Sequence, residues 1–242
     1  MIRPLAFGIA LAAAVAASPR ATAGDVASLE ILGFSADGQV FAFEEYGIQD
    51  GSGFPYSNRF YIDTATDSFV PGSPIRVRLD DESQTLEAAR AQAREQGETI
   101  VAADELAANR GFTAGYNAVT EYSADPHRMA VNPRPVFPPI DGTVEFRIEE
   151  IALQQPQQCE NLGDVVGFRL VRVDAAPGGQ TRLVHEDSSI PQSRGCPLAY
   201  SIGAVQTFHP AGGEPLFAVL VATRSFGFEG PDHRWMAVAG KL

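Results

Sequence analysis

Between Val26 and Leu79, apolar runs of strand length are cut at near-regular intervals by Gly, Asp and Pro, which leaves no room there for a long helix. Leu29-Glu30-Ile31-Leu32 leads into Ser35-Ala36-Asp37-Gly38, and an Asp-Gly pair between apolar runs is a strong hairpin signal. Val40-Phe41-Ala42-Phe43 is apolar at consecutive positions, as in a strand covered on both faces. A further strand spans Arg59 to Ile62, and a turn at Thr64 to Asp67 precedes Phe69-Val70 and Ile75 to Leu79. This spacing predicts an antiparallel meander rather than a βαβ unit.

At Asp80 the period changes. Good helix formers with recurring Ala and Leu predict a helical insertion over about 80–110, capped by Asp81 or Ser83 and interrupted at Gly97. A second, short helix is expected from about Ala102 to Asn109, stopped by Gly111. Residues 111–142 read as the least regular stretch. Pro133, Pro135, Pro138 and Pro139 forbid helix and central strand, so about 126–142 is expected to be an extended connector. Val144, Phe146 and Ile148 then alternate with Glu145, Arg147 and Glu149, as do Val166, Phe168 and Leu170 with their neighbours, predicting half-buried strands. Pro177-Gly178-Gly179 turns the second of these into Thr181 to His185.

The two ends of the chain repeat one another. Phe34 matches Phe208, Gly38 matches Gly212, Phe41-Ala42 matches Phe217-Ala218, Gly53-Phe54 matches Gly227-Phe228, and Arg59-Phe60 matches Arg234-Trp235, with small gaps. Each copy is a meander that cannot bury both faces alone. Phe54 and Phe228 are expected to plug the core.

Residues 1–23 have an early Arg3, an apolar run to Ala17 and a closing Ala21-Thr22-Ala23, the layout of a secretory signal peptide with cleavage after Ala23. A single secreted or periplasmic β-rich domain is then expected over 24–242, without a transmembrane segment. Removing Arg3 and Arg20 and no acid takes the formal charge from −12 to −14. A chain this acidic is repelled by phosphate backbones and anionic lipid, so nucleic acid is not expected as a partner. Cys159 and Cys196 form an even pair in an exported chain and predict a disulfide. Closing that loop stabilises the fold by about 4 kcal/mol in the chain-entropy model.

Few residue patterns in the chain carry recognisable chemistry. His127, His185, His209 and His233 show no metal-ligand spacing, and no nucleophile elbow or phosphate-binding glycine loop occurs, so no cofactor or metal is expected. Glu44-Glu45, Asp80-Asp81 and Glu149-Glu150 are sequence neighbours, which on a strand point to opposite faces and cannot act as a facing acid pair. The stretch from Glu44 to Ser57, read as a loop, combines Glu44, Glu45, Tyr46, Asp50 and Tyr56 with three glycines, a mixture that presents aromatic faces and acceptors together. With Arg59 and its repeat counterpart Arg234, these are the candidate binding residues.

The first copy, Phe34-Ser35-Ala36-Asp37-Gly38 with Ala42-Phe43 and Tyr61-Ile62-Asp63, resembles a blade of TolB/WD40-like β-propellers. At whole-chain level, the stretch from Gly33 to Val77 with the signal peptide before it and the Ala/Arg/Glu helix after it resembles an uncharacterised family of predicted secreted bacterial proteins. That resemblance implies location and architecture and supplies no catalytic residues. The expected protein is mainly β (α+β), with antiparallel meanders repeated at its two ends, propeller-like or sandwich-like, plus the helical insertion. A non-catalytic binding or envelope-associated protein, with a protein or small-molecule partner in the cell envelope, is the first functional expectation. A periplasmic hydrolase built from dispersed acids and His185 or His233 is the alternative.

Overall fold

The meander after Val26 forms as β1 (Ser28–Phe34), β2 (Val40–Ile48), β3 (Pro55–Asp63), β4 (Ser68–Phe69) and β5 (Ile75–Arg78). They make one antiparallel sheet, here sheet I, in which β3 pairs with β2, β4 and β5. The computed structural model describes residues 24–175, 178–227 and 230–242. The signal-peptide reading of 1–23, Pro177 of the expected turn and Phe228 of the repeat lie outside these residues.

Two more antiparallel sheets follow. Sheet III contains β7 (Arg128–Val131), β8 (Val144–Ala152), β9 (Val166–Asp174) and β10 (Thr181–Glu186), joined in chain order. Sheet II contains β6 (Phe112–Tyr116), β11 (Pro197–Phe208), β12 (Leu216–Ser225) and β13 (Asp232–Lys241), in the spatial order β13-β12-β11-β6.

Sheet II lies in the middle, and β12 shows why. Leu216, Ala218, Leu220 and Ala222 point to one side and join Phe34, Phe41, Phe43 and Phe60 of sheet I. Phe217, Val219 and Val221 point to the other and join Phe146, Ile148, Phe168 and Leu170 of sheet III. Eight consecutive buried residues on one strand require a sheet covered on both faces. Each large side chain so buried contributes roughly 1.5–3 kcal/mol.

The helical insertion makes the outermost layer. α1 (Leu86–Gly97) and α2 (Ala103–Ala108) lie on the face of sheet I remote from sheet II, with Ala89, Ala93 and Leu106 against Ala42, Tyr61, Ile75 and Val77. The helical stripe must be small, since a Cβ at Gly97 would stand 2.0 Å from the Tyr61 hydroxyl. The resulting order is helices, sheet I, sheet II, sheet III, a sandwich-like stack with no closed barrel among the described residues.

Several expectations are corrected. The cap of α1 is Thr85, whose Oγ1 accepts the Ala88 N–H at 3.1 Å, and not Asp81 or Ser83. Asp81 instead accepts the Ser83 N–H at 2.9 Å in a preceding turn, which delays helix entry. Two short strands, β6 and β7, occupy the stretch read as irregular. β6 fits because Gly115 lies beneath Met129 and Val131, and β7 ends before Pro133, so the prolines themselves stay out of the sheet. The propeller-blade resemblance is not confirmed, since the sheets stack in layers. Phe54 is half-buried and belongs to no core cluster, so it is not a plug; the core there is closed by Phe43 and Phe60, whose rings stack at 4.6 Å.

The end-to-end repeat has a counterpart in topology. β1-β2-β3 and β11-β12-β13 are both three-strand meanders. Gly38 and Gly212 both turn at φ 75°. Along the stack, Phe41 and Phe217 point the same way, each toward the next sheet, while Ala42 and Ala218 point back.

Cys159 and Cys196 are disulfide-bonded, with Cα atoms 5.5 Å apart. The bridge ties the turn before β9 to the start of β11 and packs with Val165 and Ile190 in a small satellite core.

Candidate functional site

The stretch read as a loop from Glu44 to Ser57 is mostly strand. β2 runs to Ile48 and β3 begins at Pro55, leaving only 49–54 as the connection. Both Glu44 and Glu45 are thereby buried, and the pleat sends them to opposite faces. The seven candidate residues therefore divide into two groups and an outlier.

Glu44 faces the helices and is wholly buried. It pairs with Arg59 directly across the strands at 2.9 Å, accepts the Ser57 hydroxyl at 2.9 Å, and accepts Arg90 Nε from α1 at 2.8 Å. Arg90 also bonds Glu30 and lies 3.9 Å over the Tyr46 ring. Arg90 titrates above its ordinary range because its hydrogen bond to Glu44 outweighs burial. Glu44, Tyr46 and Arg59 thus form a polar network with α1, in which Arg59 Nε is buried without a hydrogen-bond partner among the described residues.

Glu45 faces sheet II. Oε1 accepts Asn58 Nδ2 at 2.9 Å and Oε2 accepts the backbone N–H of Trp235 at 2.7 Å. Burial raises its pKa, opposed by those bonds and by Arg234 and Arg76. Arg234 reaches back from β13 to Asp25, donating Nη2 to Oδ2 at 2.6 Å, and lies 5.2 Å from the centroid of Tyr56. The Tyr56 hydroxyl donates to Asp25 Oδ1 at 3.3 Å, and burial raises the phenol well above its ordinary range. Asp50 sits apart in the 49–54 turn, with Oδ2 buried and unpaired among the described residues.

Glu45, Tyr56 and Arg234 border open space. A cavity of about 430 Å³ between β3, β5 and β13 is lined by Tyr56, Asn58, Arg76, Arg78 and Arg234. A second, of about 370 Å³, continues toward Arg194 and Trp235 and shares Asn58, Arg76 and Arg234 with the first. Three cleft residues escaped the sequence reading: Asn58, Arg76 and Arg78. Their signal was available in Ile75-Arg76-Val77-Arg78, where strict alternation sets both arginines on one strand face. Arg78 is paired with Asp80 at 2.6 Å, while Arg76 is exposed and has no acidic partner among the described residues.

His185 answers a different question. Nε2 lies 3.0 Å from Asp187 and Nδ1 3.5 Å from Asp67. Burial pulls its pKa down, but the two carboxylates outweigh burial and hold it at about 9. An imidazole protonated at neutral pH does not serve as a general base. Asp187 is held near 2, burial being overcome by His185, Arg194 and the Phe168 N–H. Asp67 also accepts the Ala239 N–H at 2.8 Å. One carboxylate at the β3–β4 turn thus joins sheet I to both other sheets. Among the described residues no cluster of three His, Cys, Asp or Glu is placed to hold a metal ion, and no helix is long and apolar enough to cross a membrane.

A family model described as "Predicted secreted protein (DUF2259)" matches residues 42–241. No curated protein and no solved structure matches the chain.

Proposed function

Because the chain belongs to the DUF2259 family of predicted secreted proteins, we propose that it works outside the cytoplasm as a binding protein for a small anion, held in the cleft between sheet I and β13. The observation that carries this is Arg76: an exposed guanidinium with no salt-bridge partner among the described residues, at the point where two cavities share Asn58 and Arg234, in a chain of formal charge −12. In so acidic a protein an arginine left unpaired inside a concave site is available for an anion from solution. Arg234, already held by Asp25 and Tyr56, adds fixed positive charge without needing to move. Glu45 and Asn58 form the polar floor. Of the two histidines in the hydrolase alternative, His185 is held protonated by its two carboxylates, which leaves only His233 as its base.

Isothermal titration of the purified protein with inorganic phosphate and with citrate tests the reading. At least one of them is expected to bind, and Arg76→Glu to abolish binding while leaving the unfolding temperature within a degree or so, because the residue is exposed. Failure of both anions to bind, or binding indifferent to Arg76→Glu, overturns it.

A further inference from the structure

A separate cavity of about 320 Å³ opens at the other face of the β12–β13 hairpin, beneath the loop joining β6 to β7. Its apolar wall is Val119 and Pro126 from the loop, with Ala222 and the ring of Trp235 from sheet II. Trp235 is positioned from two directions. Its indole N–H donates to the Ala27 carbonyl at 2.9 Å, and its benzo edge lies on Gly203, where a Cβ would stand 2.2 Å from Cζ3. Any side chain at 203 would displace the ring. Tyr122 stands almost wholly exposed among the lining residues, so a second aromatic face is offered from the loop.

Asn117, Glu121 and Ser201 add polar groups to this lining, and two more come from the hairpin. Arg224 and His233 are cross-strand partners on β12 and β13 and share the face of Ala222 and Trp235. Arg224 is exposed and makes no ion pair among the described residues. His233 has its Nδ1 buried without a hydrogen-bond partner among those residues. Burial, with Arg224 beside it, lowers its pKa, so the ring adds no second positive charge beside Arg224.

We propose that this cavity binds a small aromatic monocarboxylate, its ring against Trp235 and its carboxylate on Arg224. The class follows from the site. Its volume lies at the low end of the roughly 300–1,000 Å³ of ligand pockets, so the ligand has about one ring. The aromatic lining favours a π face, and the lone guanidinium favours a single planar anion that it can grip with two N–H groups. This site is distinct from the Arg76 cleft, which lies on the opposite side of the hairpin and is polar.

Trp235 is the only tryptophan in the chain, so its emission reports directly on the cavity wall. Benzoate, phenylacetate and 4-hydroxybenzoate, titrated against the full-length protein with calorimetry in parallel, are the probes. At least one is expected to shift or quench Trp235 emission saturably. Arg224→Gln is expected to weaken that response about tenfold or more, with Arg224→Lys intermediate. Because Trp235 also borders the Arg76 cleft, Arg76→Glu is the control and is expected to leave the response unchanged. No saturable change and no heat with any of the three overturns the proposal. So does an affinity that survives Arg224→Gln, or one that is lost only in Arg76→Glu. A loss in Arg76→Glu alone supports the anion cleft instead, which separates the two readings.

Discussion

The carboxylate of Glu45 accepts the main-chain N–H of Trp235 at 2.7 Å across the boundary between sheet I and sheet II. A buried side chain of one sheet thereby completes the hydrogen bonding of the edge strand of the next. The contact sits beside both cavities, since Trp235 lines each of them.

Both oxygens of Glu45 are acceptors in use, one for Asn58 and one for Trp235. Glutamine offers only one carbonyl oxygen, so Glu45→Gln sets an NH₂ group against a donor and is expected to cost about 1–3 kcal/mol. Urea denaturation of the two proteins measures it. An unchanged midpoint would show that the Trp235 N–H has another partner.

Glu44 holds a guanidinium on each side, and its removal leaves Arg59 buried and uncompensated. Glu44→Ala is expected to destabilise by about 3–5 kcal/mol. The double variant Glu44→Leu, Arg59→Leu removes both buried charges and is expected to lose less than Glu44→Ala, because Arg90 keeps Glu30 and partial solvent contact. Denaturant midpoints for the singles and the double settle the order.

The His185 cluster predicts a pH dependence. The folded pKa of about 9 lies above the ordinary 6.5, so the stabilisation is complete below pH 6.5 and is lost as pH rises through 9. With a discount for partial exposure, the loss is about 1–2 kcal/mol. Asp187 acts at the other end: held near 2 against an ordinary 3.8, it contributes above pH 3.8, and that contribution goes as pH falls through 2. Thermal unfolding between pH 6 and 10 is expected to show a falling stability that His185→Gln flattens.

Much of sheet I was legible because its turns are marked by residue types that turns require, such as Asp37-Gly38, and its core strand by consecutive apolar positions at Val40–Phe43. The pleat rule also anticipated that Glu44 and Glu45 point apart. The depth of their burial was not legible, because it depends on Arg90, 46 positions away on α1, and on Trp235, 190 positions away on β13. Two charged residues in a row read as surface unless the partners that neutralise them are known. β6 and β7 were missed for a related reason. Each is short, and what makes β6 a strand is its pairing with β11, about 90 residues later. The cleft arginines were visible as a pattern at Ile75–Arg78 but acquired meaning only when β13 placed Arg234 beside them.

Sheet II also has a consequence for the order of synthesis. β11, β12 and β13 follow every strand of sheets I and III in the chain, yet they supply the surface against which both outer sheets close. A chain still being made, with residues before Pro197 emerged, holds two finished meanders whose phenylalanines have nothing between them. Until β11, β12 and β13 are made, neither outer sheet has the surface that buries its apolar face.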